Sequence, residues 1–594
     1  VGLGQTLGRA FDTYPNRVVG YTLNIGGSIA GIATFFLLSL LQVPPAVWFA
    51  VCCAGVAYLL HHSGTLSALR IVALAGLIVA VLLPPLFFAV YAGRETYWSP
   101  YYMIEYDPPS RIITVDNIGH QSMIPFESRG STYSLIHLLQ KNSAGTPFED
   151  QLIIGAGSGN DVAHALRAGV GRIDAVEIDP VIQNLGFERN PDRPYEDPRV
   201  TRYIDDGRHF LRTTDRKYDL VVYALVDSLV LHSGYANIRL ESYLFTEQAF
   251  RDIRRVLKPG GVFVSYNFFR QGWIVERVAA MTESVFGCPP IVINLPYTDE
   301  LKASEPSGYT VILAGCNSQL AAQFNAASEF WLNRVPARNT DVNGFTVHPE
   351  VMSEAERQEW NRIAPTRIIH DRGDPVAASD DWPFLYLQDR LIPDINLRSM
   401  LLLGFLGLGM VYLFLPKGGD ATGVDARMFF LGAAFMLLET RAVVQLALLF
   451  GSTWVVNSMV FFTVLVLILL GNLYVLSIRN IRLSWHYFGL FAVLSLAVSI
   501  PTDTFLEGGI VWRYGVPSVL ALGPMFFAAV IFARSFRDSA NPDVSFGSNI
   551  AGAMVGGLSE SFSMLLGFRY ILVLALLFYL LSAWAPVARV REEG

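Results

Sequence analysis

The sequence predicts a multi-pass α-helical membrane protein with an inserted α/β Rossmann-like domain. Three observations lead there. The 594 residues are 52% hydrophobic and only 16% charged, with a mean hydropathy of +0.38, whereas soluble domains carry about a quarter charged residues. The apolar residues are segregated: residues 1–92 and 399–588 hold few charges, while residues 93–398 have ordinary globular composition. Within that middle stretch an apolar run enters a glycine-rich turn and then an amphipathic segment, and further strand-and-helix pairs follow.

In chain order this gives five parts. Residues 1–92 form N-terminal membrane helices, 93–145 a small β piece, and 146–316 the Rossmann-like domain; 317–398 form an accessory segment and membrane-docking linker, and 399–594 C-terminal membrane helices. A helix needs about 20 apolar residues to cross the hydrocarbon core. Such spans fall at 18–42, 46–61 and 69–92, then at 399–416, 427–451, 453–478, 485–500, 511–534, 546–567 and 569–588, three before the domain and seven after it. The chain opens on Val1, and Val1–Pro15 reads as the tail of a helix plus a loop, so further helices are expected upstream.

The two helical parts share a repeat. Arg9-Ala10-Phe11 matches Arg534-Ser535-Phe536, and Asn24-Ile25-x-Gly27-x-x-x-Gly31 matches Asn549-Ile550-x-Gly552-x-x-x-Gly556 without gaps. Glycines four apart let two helix backbones approach closely in lipid. The basic loop residues gather mostly on the side opposite the globular domain, and positive-inside reasoning then puts that domain outside the cytoplasm. One span more or fewer would reverse that result, and the side stays open. A bacterial cytoplasmic membrane is the expected location. Glu439 and Arg441 lie inside one span; two residues apart on a helix they point to different faces, each toward a neighbouring helix or a substrate path.

Other classes are set aside by composition. The net charge is −7 and no basic run interleaves with aromatics, which excludes a nucleic-acid partner. The four cysteines and ten histidines form no ligand pattern, so no metal is expected.

The chemistry lies in the middle. Gln151–Ile154 runs into Gly155, Gly157 and Gly159, which permit a tight turn and a close backbone approach to a ligand. A second strand, Arg172–Glu177, ends in acids about 20 residues later, where a carboxylate accepts both hydroxyls of a ribose. A third strand ends in Asp205-Asp206-Gly207-Arg208, placing an acid at the adenine edge. Tyr218–Tyr223 is a fourth, and Lys258-Pro259-Gly260-Gly261 leads into a fifth. Alternation of strand and helix implies a parallel sheet with its ligand at the strands' carboxyl ends.

The series GAGSG, VEID, DDGR, YDLVV and LKPGG resembles the spermidine synthase group of the class I S-adenosylmethionine-dependent transferase fold, over residues 98–315. Tyr101–Val115 followed by Asn117-Ile118-Gly119-His120-Gln121 resembles that group's N-terminal β-hairpin piece, and the flanking helices resemble its membrane-fused, spermidine-synthase-like branch. The resemblance implies that Gln121, Gly155, Gly157, Gly159, Glu177 and Asp206 bind S-adenosylmethionine or decarboxylated S-adenosylmethionine. It also implies an Asp ending the fourth strand as the base that deprotonates an attacking amine. Here that position is Ala224, whose methyl accepts no proton, which leaves Asp227 as the catalytic candidate. Tyr223, Tyr133 and Glu241 stand on the expected acceptor side, with His232 and Tyr235 nearby. The usual Tyr-Gln pair becomes Tyr133-Ser134.

Three functions follow: a membrane-bound transferase with an amine or other small acceptor, a non-catalytic scaffold or sensor subunit of a membrane complex, or a polyamine-type transporter. Asp380-Asp381-Trp382-Pro383-Phe384 reads as an acidic lid over the pocket or as an element docking on the bilayer through its aromatics.

Overall fold

The computed structural model describes residues 14–62, 67–91, 93–123, 125–126, 132–226, 231–233, 238–295, 297–325, 330–331, 340–342, 345–347, 352–355, 362–414, 424–478, 480–500, 502–505, 509 and 511–585. The chain separates into two compact units, one made of Val1–Phe36, Leu231–Ile238 and Asp389–Gly594, the other of Leu37–Val230 and Arg239–Gln388.

Three helices open the described chain: α1 (Arg17–Leu40), α2 (Pro45–His62) and α3 (Ala68–Tyr91). A four-stranded antiparallel meander follows, β1 (Glu95–Trp98), β2 (Met103–Asp107), β3 (Ile112–Val115) and β4 (Ile118–Ser122). The sequence suggests only a hairpin here. Asp116 and Asn117 join β3 to β4 with φ of 47° and 66°, the two left-handed positions of a type I′ hairpin turn.

The α/β core then runs α4 (Leu135–Ala144), β5 (Asp150–Ile154), α5 (Asn160–Arg167), β6 (Arg172–Glu177), α6 (Pro180–Arg189), β7 (Val200–Ile204), α7 (Gly207–Thr213), β8 (Tyr218–Ala224), α8 (Glu247–Val256), β9 (Leu257–Phe268), α9 (Gly272–Phe286), β10 (Ile291–Leu295), β11 (Tyr309–Ala314) and α10 (Ser318–Asn325). Seven of these strands form one sheet in the order β10-β11-β9-β8-β5-β6-β7. From β9 to β7 the neighbours are parallel, while β11 pairs antiparallel with both β9 and β10. The sheet is therefore mixed, correcting the parallel expectation. Central strands such as Leu220–Val222 and Val262–Val264 are apolar on consecutive residues because helices cover both faces.

Caps fix the helices that frame the sheet's carboxyl edge. Asp179 Oδ1 accepts from the Val181 and Ile182 amides with Pro180 opening α6, and Thr246 Oγ1 accepts from Ala249 at the start of α8. Cys288 and Cys316 form a disulfide between the end of α9 and the residues after β11. The acidic group Glu149, Asp150 and Asp219 at the opposite edge holds the Lys258 ammonium, 2.6 Å from Asp150 and 3.0 Å from Asp219.

The Asp380–Phe384 stretch belongs to this core. Asp380 lies 3.2 Å from the buried Arg208 guanidinium and accepts from Thr246 at 2.7 Å. Arg208 also pairs with Asp252 at 2.8 Å. Trp382 is fully buried, and Arg277 donates to the carbonyls of Leu385 and Leu387 behind it. These aromatics point inward, so they are not available to rest on a bilayer, and Asp380 is spent on an ion pair rather than on a lid. A buried guanidinium needs both carboxylates, and that demand draws the segment in.

The remaining helices are α11 (Asp394–Phe414), α12 (Ala426–Phe450), α13 (Trp454–Ser477), α14 (Leu483–Ser499), α15 (Val516–Arg537), α16 (Pro542–Ser559) and α17 (Phe568–Trp584). Among the described residues six helices are long and apolar enough to cross a membrane: Arg17–Leu40, Pro45–His62, Asp394–Leu413, Ala426–Phe450, Trp454–Ser477 and Val511–Arg537. The repeat's glycines differ in use. A Cβ on Gly556 would collide with the Ala433 carbonyl and one on Gly552 with that of Phe429, so α16 packs backbone to backbone on α12, with Asn549 donating to Met428 at 3.0 Å. A Cβ on Gly27 or Gly31 would meet nothing within 4 Å among the described residues. Arg9–Phe11 lies outside the described residues.

Candidate nucleotide-binding site

Where β5 ends, the chain turns through Gly155, Gly157 and Gly159 at φ of 74°, 54° and 92°. Side chains are excluded there by space as well as by backbone. A Cβ on Gly155 would stand 2.6 Å from Val226 Cγ1, one on Gly159 2.7 Å from Pro194, and one on Gly157 inside the Gln121 amide. The loop is braced from outside: the Tyr195 hydroxyl donates to the Gly157 carbonyl at 2.7 Å, and Asn190 Nδ2 to that of Ser158 at 2.8 Å. Gln121 reaches from β4 to accept from the Ser158 amide at 2.9 Å.

Glu177, at the end of β6, is the hub. One carboxylate oxygen accepts from the Gly157 amide at 2.8 Å; the other accepts from Ile178 at 2.9 Å and Asp179 at 3.0 Å. Burial nevertheless pushes its carboxyl up to about 7, against the pull of those three amides. Beside it, Asp206 caps α7 through the His209 amide at 2.8 Å. Asp205 holds the His209 imidazole at 2.9 Å and raises its pKa. Burial lowers the His120 imidazole to about 4, leaving it neutral at pH 7.

These groups surround a cleft of about 600 Å³ lined by Tyr102, His120, Gln121, Gly155, Glu177, Asp205, Asp206 and the apolar Ile178, Leu225, Val226 and Leu244. That size suits a small-molecule ligand. Among the described residues its charged lining is three carboxylates with no lysine or arginine, which disfavours a pyrophosphate and favours a ligand offering hydroxyl donors and positive charge. Leu225 sits at φ 51° directly after β8, an unfavourable conformation for a branched side chain.

Of the residues expected to bind the cofactor, Gln121, Gly155, Glu177 and Asp206 line the cleft, and Gly157 and Gly159 shape the loop behind it. The acceptor side differs. Tyr223 is fully buried, packed edge-on against Phe263 at 5.0 Å and Phe245 at 5.8 Å, and lies in the core rather than in the cleft. It stands on a central strand whose two faces are both covered, so alternation carries it into packing. Tyr133 packs against Tyr266 and His164 and is not among the residues lining this cleft. Ala224 is buried at the strand end. Asp227 lies outside the described residues, as do the side chains of Glu241 and His232, and Tyr235. Sequence reasoning passed over Tyr102, His120 and Leu225; the first two flank the Gln121 hairpin, which was the available signal.

A seven-stranded sheet of this order, with a glycine loop after the first central strand and an acid closing the next, defines the class I S-adenosylmethionine-dependent transferase fold. Within it the domain is spermidine synthase-like: the Spermine/spermidine synthase domain family matches residues 137–301. The chain is 30% identical over 185 residues to a polyamine aminopropyltransferase of Hamiltonella defensa, covering 27% of this chain and 61% of that protein. It is 33% identical over 141 residues to polyamine aminopropyltransferase 1 of Pseudomonas aeruginosa, covering 23% and 46%. The chain thus spans less than two thirds of the length of either relative. Among solved structures it is similar to spermidine synthase from Thermotoga maritima, at 18% identity and TM-score 0.28, covering 37% of this chain and 70% of that one. A probable spermidine synthase from Corynebacterium glutamicum gives 15% identity and TM-score 0.30, covering 39% and 85%.

Proposed function

We propose that the protein is a membrane-bound spermidine synthase-like transferase that takes S-adenosylmethionine or its decarboxylated form in the cleft around Glu177. The acidic lining, lysine-free among the described residues, supports this reading, because it suits a sulfonium nucleoside and repels phosphates. Glu177 would receive the ribose hydroxyls, Asp206 the adenine edge, and Gln121 with the glycine loop the nucleoside's flank. Bound there, the sulfonium supplies an electrophilic carbon whose bond to sulfur breaks, with its electrons, as an acceptor's lone pair arrives.

The acceptor side of this chain is altered. The usual aminopropyl-transfer base is replaced by Ala224, so a proton leaving an amine must go to another group, and Asp227 is our candidate. The same Ala224 favours a second reading, a non-catalytic scaffold or sensor that keeps the nucleotide cleft. Single-turnover incubation with decarboxylated S-adenosylmethionine and putrescine separates the two: aminopropyl product, lost in Asp227→Asn, supports the enzyme, and binding without product supports the sensor.

The six long apolar helices support insertion in a membrane. The Cys288–Cys316 disulfide supports a non-cytoplasmic domain, since such bonds persist in oxidising compartments, and the distribution of loop arginines points the same way. Labelling of reduced Cys288 by a membrane-impermeant maleimide on intact spheroplasts tests it; protection until lysis would reverse the orientation.

A further inference from the structure

The helical unit contains a cavity of its own, about 640 Å³, formed by residues of α1, α12, α13, α15, α16 and α17. Its one charged lining residue is Glu439, near the middle of α12. The rest of the wall is apolar and aromatic apart from Asn549, with Tyr21, Phe435, Phe532 and Tyr579 contributing rings. Glu439 has no hydrogen bond or ion pair with any described residue, and no basic side chain shares the lining. Tyr579 is fully buried, and its hydroxyl has no hydrogen-bond partner among the described residues. Arg441, two residues along the same helix, is absent from the lining.

An unsatisfied carboxylate inside an apolar bundle costs several kcal/mol unless something answers it, and an ionisable group at such depth marks a ligand or ion path by default. The neighbourhood specifies what would answer. A cation is required by the single negative charge. Aromatic faces attract an ammonium through the ring quadrupole, while the apolar wall asks for a hydrocarbon body. A volume of this size exceeds what a bare metal ion or a proton needs, and the lining lacks the several oxygen ligands that a hard cation collects.

We infer that this cavity is a binding site for a small organic ammonium ion, with Glu439 as its counter-charge and the rings of Tyr21, Phe435 and Phe532 as its aromatic wall. The site is separate from the nucleotide cleft and does not rest on the function proposed for it.

The test is equilibrium dialysis of radiolabelled n-pentylamine against the full chain in lipid nanodiscs, with empty nanodiscs subtracted. Glu439→Gln is expected to weaken binding by about tenfold or more, and n-pentanol, the same body without the charge, is expected not to compete. Ala553→Phe, which fills the cavity and leaves the carboxylate in place, is expected to abolish binding. Affinity for S-adenosylmethionine should be unchanged in both variants, so that failure here is distinguishable from failure of the cleft. Pentylammonium binding equal in Glu439→Gln and wild type, or displacement by pentanol, would overturn the proposal. The melting temperature of Glu439→Gln supplies a readout of a purely structural role: it should hold or rise, because no partner is lost, and a drop would assign Glu439 to the fold.

Discussion

Two cavities of similar volume, one in each unit, are each organised around a glutamate, and the two glutamates are held in opposite ways. Glu177 accepts three backbone amides and stands among two further carboxylates. Glu439 has no partner among the described residues and is the one charge in its lining. The first carboxylate is fixed before any ligand arrives, so it can select by geometry, which suits a rigid diol. The second is unfixed and unanswered, so it selects by charge. The contrast teaches that burial alone does not define a carboxylate's task; the donors already around it do.

The comparison can be broken at several points. The largest effect is expected from Glu177→Ala, which removes the proposed ribose acceptor and leaves the Gly157, Ile178 and Asp179 amides without their carboxylate partner. Affinity for decarboxylated S-adenosylmethionine should fall by about 100-fold or more, with stability lowered by about 2–3 kcal/mol, seen as loss of the ligand-induced thermal shift and a lower starting Tm. Asp380→Ala comes next as a control on folding. It breaks the buried Arg208 network and should destabilise the α/β unit by about 3–5 kcal/mol, while pentylammonium binding in the helical unit persists.

Gly157→Ala combines a left-handed backbone with a collision against Gln121 and should weaken nucleotide binding by about tenfold. Shortening Gln121 in a Gly157→Ala/Gln121→Ala double variant should relieve the steric part of the stability loss, measurable by a double-mutant cycle. A milder effect is expected from pH. The Glu177 carboxyl lies at about 7 in the fold against 4.5 when free, so the folded state holds this proton more tightly than the unfolded chain. The group's contribution to stability is therefore greatest below pH 4.5 and is lost as pH rises through 7. Ligand affinity runs the other way, since hydroxyl donors need the ionised form, and should drop about tenfold for each unit below pH 7. Asp206→Asn should cost least, under about tenfold, because Asn caps a helix as well as Asp does.

Much of the cleft was legible because its signals are local. The glycine loop, the acid ending β6 and the acid opening α7 each sit within a few residues of the strand that positions them. The apolar helices were legible for the same reason, since hydropathy acts within one segment, but of the ten spans expected only six helices among the described residues are long and apolar enough to cross a membrane. What failed depended on distant partners. The antiparallel β10 and β11 at the sheet edge are apolar runs like the others, and only their pairing reveals direction. Tyr223 reads as a strand-end residue facing a substrate, yet a helix-covered central strand buries it between Phe245 and Phe263. Trp382 looks like an interface anchor until Arg208 and Arg277, more than 100 residues earlier, claim the segment around it. The disulfide joins cysteines 28 residues apart with no motif to announce them.

The most direct test of the central claim, that an acidic cleft around a pre-held Glu177 takes a sulfonium nucleoside, is calorimetric titration of the full chain in lipid nanodiscs at pH 8. Decarboxylated S-adenosylmethionine, S-adenosylmethionine and NAD would be compared side by side. The account predicts saturable heat with at least one of the sulfonium ligands and none with NAD. Tight binding of NAD, or no heat from either sulfonium at millimolar concentration, would contradict it.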